Sequence, residues 1–188
     1  MTVKVPQRRS FMKSIVGFIP AAFLPTAFLV RATAAVKTVK IAQFNALGVR
    51  TSVSDLEKVA KPEGEWKKQL TPEQFEITRH ADTERPGSGK YANNHADGLY
   101  SCICCNTTLF DSKTKFESGT GWPSFWQPLA KENVTVHKDT SLGMVREEVL
   151  CTRCDAHLGH LFDDGPAPTH LRYCMNSGAM NFSARPKR

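Results

Sequence analysis

Two pairs among the six cysteines of this chain, Cys102/Cys105 and Cys151/Cys154, are separated by two residues. At that spacing two thiolates converge on one tetrahedral metal ion. The pairs stand 45 residues apart, so an ion held by all four thiolates would staple two distant loops. Four thiolates leave no open coordination position, and the spacing therefore predicts one structural Zn2+ rather than a catalytic one. The competing chemistry is disulfide formation, although bonds across two intervening residues are often redox-active rather than structural. Cys104 and Cys174 remain. Cys104 is wedged between two expected ligands, whereas Cys174 lies in Arg172-Tyr173-Cys174-Met175-Asn176-Ser177. If that run is extended, period-two alternation places Arg172, Cys174 and Asn176 on one face of a strand. A cation and an amide beside a thiol are what lowering its pKa and orienting a substrate require. The plain alternative is a buried structural cysteine, the usual fate of a free one.

A second group of reactive side chains follows Cys154, in Asp155-Ala156-His157-Leu158-Gly159-His160-Leu161-Phe162-Asp163-Asp164. His157 and His160 have metal-binding chemistry, but four cysteines already complete a site. With Asp164 near a free thiol they form an acid/base set, because imidazole titrates near neutral pH. Alternatively, a histidine here only hydrogen-bonds across strands. Upstream, Ser118-Gly119-Thr120-Gly121-Trp122-Pro123-Ser124-Phe125-Trp126 is glycine-rich but lacks the spacing and the lysine of a phosphate-binding loop. Its aromatics suit an apolar pocket wall or ordinary core packing.

Taken together, Gly-Trp-Pro-Ser-Phe at 121–125, His-Leu-Gly-His-Leu-Phe at 157–162 and Arg-Tyr-Cys-x-Asn-Ser at 172–177 resemble the signature of B-type methionine sulfoxide reductases. The two C-x-x-C pairs resemble the zinc-binding branch of that family. Trp66, Leu70-Thr71-Pro72-Glu73-Gln74, Thr83-Glu84-Arg85-Pro86 and Ser88-Gly89-Lys90-Tyr91 are similar to its N-terminal segment. The resemblance runs in order over residues 65–183. It implies a mainly β fold of two antiparallel sheets with small N-terminal helices and a structural zinc site. It also implies reduction of the R epimer of methionine sulfoxide, free or in oxidised proteins, as a repair activity. In that reading Cys174 is the nucleophile. His157, His160, Asp164, Arg172 and Asn176 polarise the sulfoxide oxygen and tune the thiol, and Trp122 receives the methyl group. Cys102, Cys105, Cys151 and Cys154 hold zinc.

One departure concerns recycling. Many members of the family carry a resolving cysteine where this chain has Thr120, and Cys104 is not part of the usual pattern. The expected partner is therefore an external thiol reductant, thioredoxin-like or otherwise, attacking a Cys174 sulfenic acid directly. Two other classes compete with a reductase. A zinc-dependent binding module accounts for the four ligands but gives the Cys174 and histidine group no purpose. A thiol–disulfide exchanger built on either C-x-x-C pair requires those thiols to be free of metal.

The elements that must position these residues are unevenly legible. Residues 35–64 read as a weakly patterned extension, with a short strand around Val36, Val39 and Ile41 and a helix start at Ser54-Asp55-Leu56-Glu57-Lys58. Thr71-Pro72-Glu73-Gln74 is sharper. Thr71 suits an N-cap, Pro72 the first helical position, and Gln74 completes a capping box, predicting a helix of two to three turns. Residues 86–98 are rich in turn formers. From Tyr100 onward short strands are predicted at Leu109-Phe110, Lys115-Phe116, Val134–Val136 and Met144–Leu150, with no strong helical period, so the core is antiparallel β.

The first 34 residues carry five of the 25 basic residues and none of the 18 acidic ones, which leaves a formal charge of +2 on the rest. Charge thus gives no argument for a nucleic-acid partner. Gln7-Arg8-Arg9-Ser10-Phe11-Met12-Lys13 resembles a twin-arginine export motif, followed by an apolar run from Ser14 to Val30 and a small-x-small cleavage site at Arg31-Ala32-Thr33-Ala34. The expectation is a signal peptide over 1–34, removed by passage through the twin-arginine machinery into the periplasm; an uncleaved anchor is the alternative. Export of folded cargo would let four thiolates load metal before meeting an oxidising compartment. Residues 184–188 read as a basic tail.

Overall fold

The computed structural model describes residues 1–2, 36–140 and 145–187. All but the first two residues of the expected signal peptide, and Met144 of the expected strand, lie outside the described residues. The chain divides into Met1–Ala34 and Ala35–Arg188, and the second unit holds every element below.

That unit begins with an antiparallel hairpin of β1 (Thr38–Phe44) and β2 (Arg50–Glu57). The helix start expected at Ser54–Lys58 is not there. Ser54, Asp55, Leu56 and Glu57 instead pair with Ile41, Lys40, Val39 and Thr38. A five-residue helix gains little against its nucleation cost, whereas a partner strand satisfies the backbone along the whole run. Asn45 shapes the turn, its Oδ1 accepting from the amides of Leu47 and Val49 at 3.0 Å each. The hairpin is fastened to the rest through buried Asn133, which accepts from the Ala42 amide at 2.8 Å and donates to the Ala42 carbonyl at 2.9 Å.

Two short helices follow. The helix α1 (Glu63–Gln69), for which no local start signal was read, is one of the small N-terminal helices that the resemblance implied, and it buries Trp66. The helix α2 (Pro72–His80) has the predicted reciprocal cap: the Gln74 amide donates to Thr71 Oγ1 at 3.3 Å, and the Thr71 amide to Gln74 Oε1 at 3.1 Å. It buries Phe75, Ile77 and Thr78, and packs on strand β9 (His157–Phe162) and on a single 3-10 turn at Ser177–Ala179.

The remaining strands form two antiparallel sheets, as the resemblance implied. One has three strands in the order β11 (Met180–Ala184), β3 (Gly98–Cys102), β4 (Thr108–Asp111). The other has six, in the order β5 (Lys115–Phe116), β6 (Ser124–Phe125), β10 (Arg172–Met175), β9, β8 (Arg146–Cys151), β7 (Val134–Asp139). Aromatic rings join them. Phe110 of the smaller sheet stacks on Phe125 of the larger at 4.4 Å between centroids, and Tyr100 meets Phe125 edge-on at 5.0 Å. Tyr173 reaches the same cluster, 5.8 Å from Phe110. Because side chains alternate along a strand, burying Tyr173 in this core sends its neighbours Arg172 and Cys174 to the opposite face.

Candidate active site and metal centre

Cys174 sits in the interior of the larger sheet, paired with His160 of β9 on one side and with Ser124 of β6 on the other. The close approach of β9 depends on Gly159. Its φ is +153°, and a Cβ there would lie 2.1 Å from the Cys174 carbonyl oxygen. Over Cys174 opens a small pocket of about 140 Å³ whose walls include Trp122, His160, Phe162, Asn176, Thr83 and Arg146. The alternation expected of Arg172, Cys174 and Asn176 holds, although Asn176 lies one residue past the end of β10 in extended conformation.

The remaining expected residues stand behind the pocket wall. His157 is buried and its ring meets that of His160 edge-on at 5.3 Å. Its Nδ1 lies 2.6 Å from Glu148 Oε1; a carboxylate only accepts, so Nδ1 carries the proton. Burial pushes the His157 pKa down, against the opposing effect of Glu148. His160 donates from Nε2 to Asp139 at 3.1 Å by the same reasoning. Arg172 is gripped by Asp164 through two bonds of 2.7 and 2.8 Å, and its guanidinium lies 4.3 Å over the Phe162 ring. The Arg172 guanidinium beside it holds the Asp164 carboxyl below the usual carboxylate range. Asp164 thus reaches the site through Arg172.

The thiol itself departs from expectation. Burial pushes the Cys174 pKa up; the Arg172 charge and hydrogen bonds from Thr120, Ser124 and Arg172 offset this only in part. Arg172 opposes the rise but does not reverse it. The Thr120 hydroxyl is among the groups that stand near Cys174 and favour its thiolate.

Sequence reasoning passed over Thr83, Arg146, Phe162, Asp139 and Glu148. Arg146 and Glu148 lie two apart in a run read only as strand, and two polar positions on one face of it were the available signal.

The four expected ligand cysteines come together, their Sγ atoms all within 4.8 Å of one another. Cys102 and Cys154 are 3.6 Å apart, and Cys105 and Cys151 are 3.5 Å apart. A tetrahedron with zinc–sulfur bonds of about 2.3 Å has edges of about 3.8 Å, so the four thiols fit such an ion. Each pair sits on the same kind of knuckle. The Asn106 amide bonds the Cys102 carbonyl and the Asp155 amide the Cys151 carbonyl, both at 2.9 Å. Asn106 and Asp155 take positive φ, 59° and 54°, where Asn and Asp are best tolerated. One knuckle ends β3 of the smaller sheet and the other ends β8 of the larger, so the cluster ties the two sheets together. All six cysteines are free thiols, against the disulfide alternative. Cys104 is buried against the cluster, in contact with Cys102 and Cys154, and is not part of the Cys174 pocket.

Residues 70–184 match the SelR domain. The chain belongs to the B family of peptide methionine sulfoxide reductases. A peptide methionine sulfoxide reductase MsrB of Pseudomonas fluorescens strain Pf0-1 is 56% identical over 130 residues, which cover 69% of this chain and 99% of that protein. The Herminiimonas arsenicoxydans MsrB is 53% identical over 130 residues, 69% of this chain and 95% of its own length. That of Thioalkalivibrio sulfidiphilus is 55% identical over 121 residues, 64% and 88% respectively. The structure has a pocket over Cys174 in one sheet and a separate four-cysteine cluster between sheets. A binding module needs no such pocket, and an exchanger would not bury its thiols in a shared cluster.

Proposed function

We propose that this chain reduces methionine-R-sulfoxide, free or in oxidised proteins, to methionine, with Cys174 as nucleophile and an external thiol as reductant. The observation that carries this reading is the convergence of Cys174, Trp122, His160 and Asn176 on one small pocket. Trp122 offers an apolar wall for the substrate methyl group, and a pocket of about 140 Å³ admits the end of a methionine side chain.

The Cys174 sulfur attacks the sulfoxide sulfur while the oxygen takes a proton. His160, held through Nε2 by Asp139, supplies that proton, and Asn176 orients the oxygen. In the resulting adduct the hydroxyl passes from the substrate sulfur to the Cys174 sulfur as the bond between the two sulfurs breaks, so that methionine leaves with an electron pair and Cys174 is left as a sulfenic acid. The Cys174 thiol gives up its proton on the way to attack, and that proton replaces the one His160 has given to the oxygen, so the step needs no net proton. Arg172, fixed by Asp164, stabilises the thiolate as it forms. Two external thiols then return Cys174 to the thiol, releasing water and a disulfide. With Thr120 at the nucleophile and Cys104 in the cysteine cluster, no internal disulfide is needed.

The four-cysteine cluster would hold a structural Zn2+ through Cys102, Cys105, Cys151 and Cys154. Neutralising four clustered thiolates and cross-linking two sheets is what it would supply. The arginine pair and apolar run before Ala35 support export by the twin-arginine route, with repair of oxidised proteins outside the cytoplasm. Turnover of the separate R and S epimers with a chemical dithiol tests the activity. The R epimer should be consumed and the S epimer spared; consumption of neither would overturn the assignment.

A further inference from the structure

Glu84 is a buried carboxylate that the mechanism leaves unused. Its side chain accepts from two consecutive backbone amides, Ser177 at 2.7 Å and Gly178 at 2.9 Å, which open the turn after Cys174. Its own amide donates to Asn176 Oδ1 at 3.1 Å, and its carbonyl accepts from Trp122 Nε1 at 3.0 Å. One residue therefore holds two walls of the pocket, while the preceding Thr83 forms a third. No slack surrounds the carboxylate. A Cβ on Gly89 would lie 2.2 Å from Glu84 Oε1 and 2.4 Å from Ser177 Oγ.

The turn at Ser177–Ala179 makes the consequence specific. Asn176 is its N-cap residue, and asparagine is among the strongest N-caps because its side chain accepts from amides of the first turn. Here the Asn176 side chain makes no cap bond. It bonds instead to the Glu84 amide and, at 3.4 Å, to the Leu158 carbonyl. Glu84 has taken over the capping from a distant loop.

We infer that Glu84 is a positioning residue, which caps the turn after the nucleophile in place of Asn176 and so keeps the Asn176 amide in the substrate pocket. Without that carboxylate, the vacated amides of Ser177 and Gly178 draw the Asn176 side chain back onto its own turn. The inference rests on the reading of the pocket as a sulfoxide-reducing site, but its geometric part does not.

The variant Glu84→Gln keeps size and offers one carbonyl oxygen for two amides. In zinc-loaded protein it should slow single-turnover methionine formation about tenfold, the scale of a lost bond to a charged group. Because Glu84 acts through Asn176, the same change made in an Asn176→Ala background should cost less than about twofold more. A merely structural carboxylate would give additive losses in the double variant, and additivity would overturn the inference. A second measurement needs no activity. The side-chain amide signals of Asn176, assigned by their absence in Asn176→Ala, should shift in Glu84→Gln; unmoved signals would also overturn the inference. If Glu84→Gln does not fold, Glu84→Asp, too short to reach both amides, takes its place in both measurements. If unmodified protein reduces neither epimer, the proposed activity falls, and the Asn176 signals alone decide the role of Glu84.

Discussion

Cys174 is caught between a cost and a compensation. Burial raises its pKa, while the Arg172 guanidinium and the hydroxyls of Thr120 and Ser124 work against that rise. Sequence spacing exposed the compensation, because a cation two residues away on a strand shares a face with the thiol. It gave no measure of the burial, which arises from strands β6 and β9 closing on either side. The net sign has a direct test. Alkylation of the free enzyme by iodoacetamide should accelerate with pH along a thiol titration displaced upward, because only the thiolate reacts. Replacing Arg172 with Ala removes the charge that opposes burial, so the midpoint should move further up. A midpoint that falls in Arg172→Ala would show that the guanidinium does not stabilise the thiolate.

At the scale of elements, the regular patterns were legible and the tertiary ones were not. The capping box at Thr71–Gln74 needs only local residues, and it stands as read. Likewise, β4, β5 and β7 lie where their apolar or β-branched residues placed them. The polar run at 54–58 misled because its fate is decided by pairing with β1, which no local signal carries. The site divides in the same way. Cysteine spacing marked the four cysteines that cluster, and the family motifs marked Cys174 and His160, which line one pocket, with His157 beside it. Asp139 and Glu148 stand on other elements and left no mark beside the histidines they meet, and Glu84 stood in a family motif that gave no sign of its bonds to the turn after Cys174. Gly159 sits between the two histidines and looks dispensable in sequence, yet its missing side chain lets β10 lie beside β9. Gly159→Ala should therefore destabilise the protein by about 1–3 kcal/mol through strain and a backbone clash. It should also lower activity, and chemical denaturation together with single-turnover rates would register both effects. An unchanged denaturation midpoint would mean that β10 can move aside.

At the scale of the whole fold, the sheets are joined among the described residues by links of different kind, including the aromatic cluster around Phe125 and the four-cysteine cluster at the ends of β3 and β8. The first is a packing contact and tolerates loss by degrees. The second would be a cross-link, its strength coming from a metal ion held by the four thiolates. Cys102→Ser should lower both metal content and melting temperature, whereas Cys174→Ser should leave both unchanged, since it touches only the pocket. Metal analysis and thermal melts of the two variants separate the structural centre from the reactive one. Equal losses in both would mean that the two sites are not independent. The most direct test of the central claim uses reduced protein, one methionine sulfoxide epimer at a time, no reductant, and dimedone as a trap. With the R epimer, each chain should form one methionine and carry the trap on Cys174, while the S epimer and the Cys174→Ser variant yield neither. Methionine formed by Cys174→Ser, or a trap placed on Cys104 instead, would contradict the account.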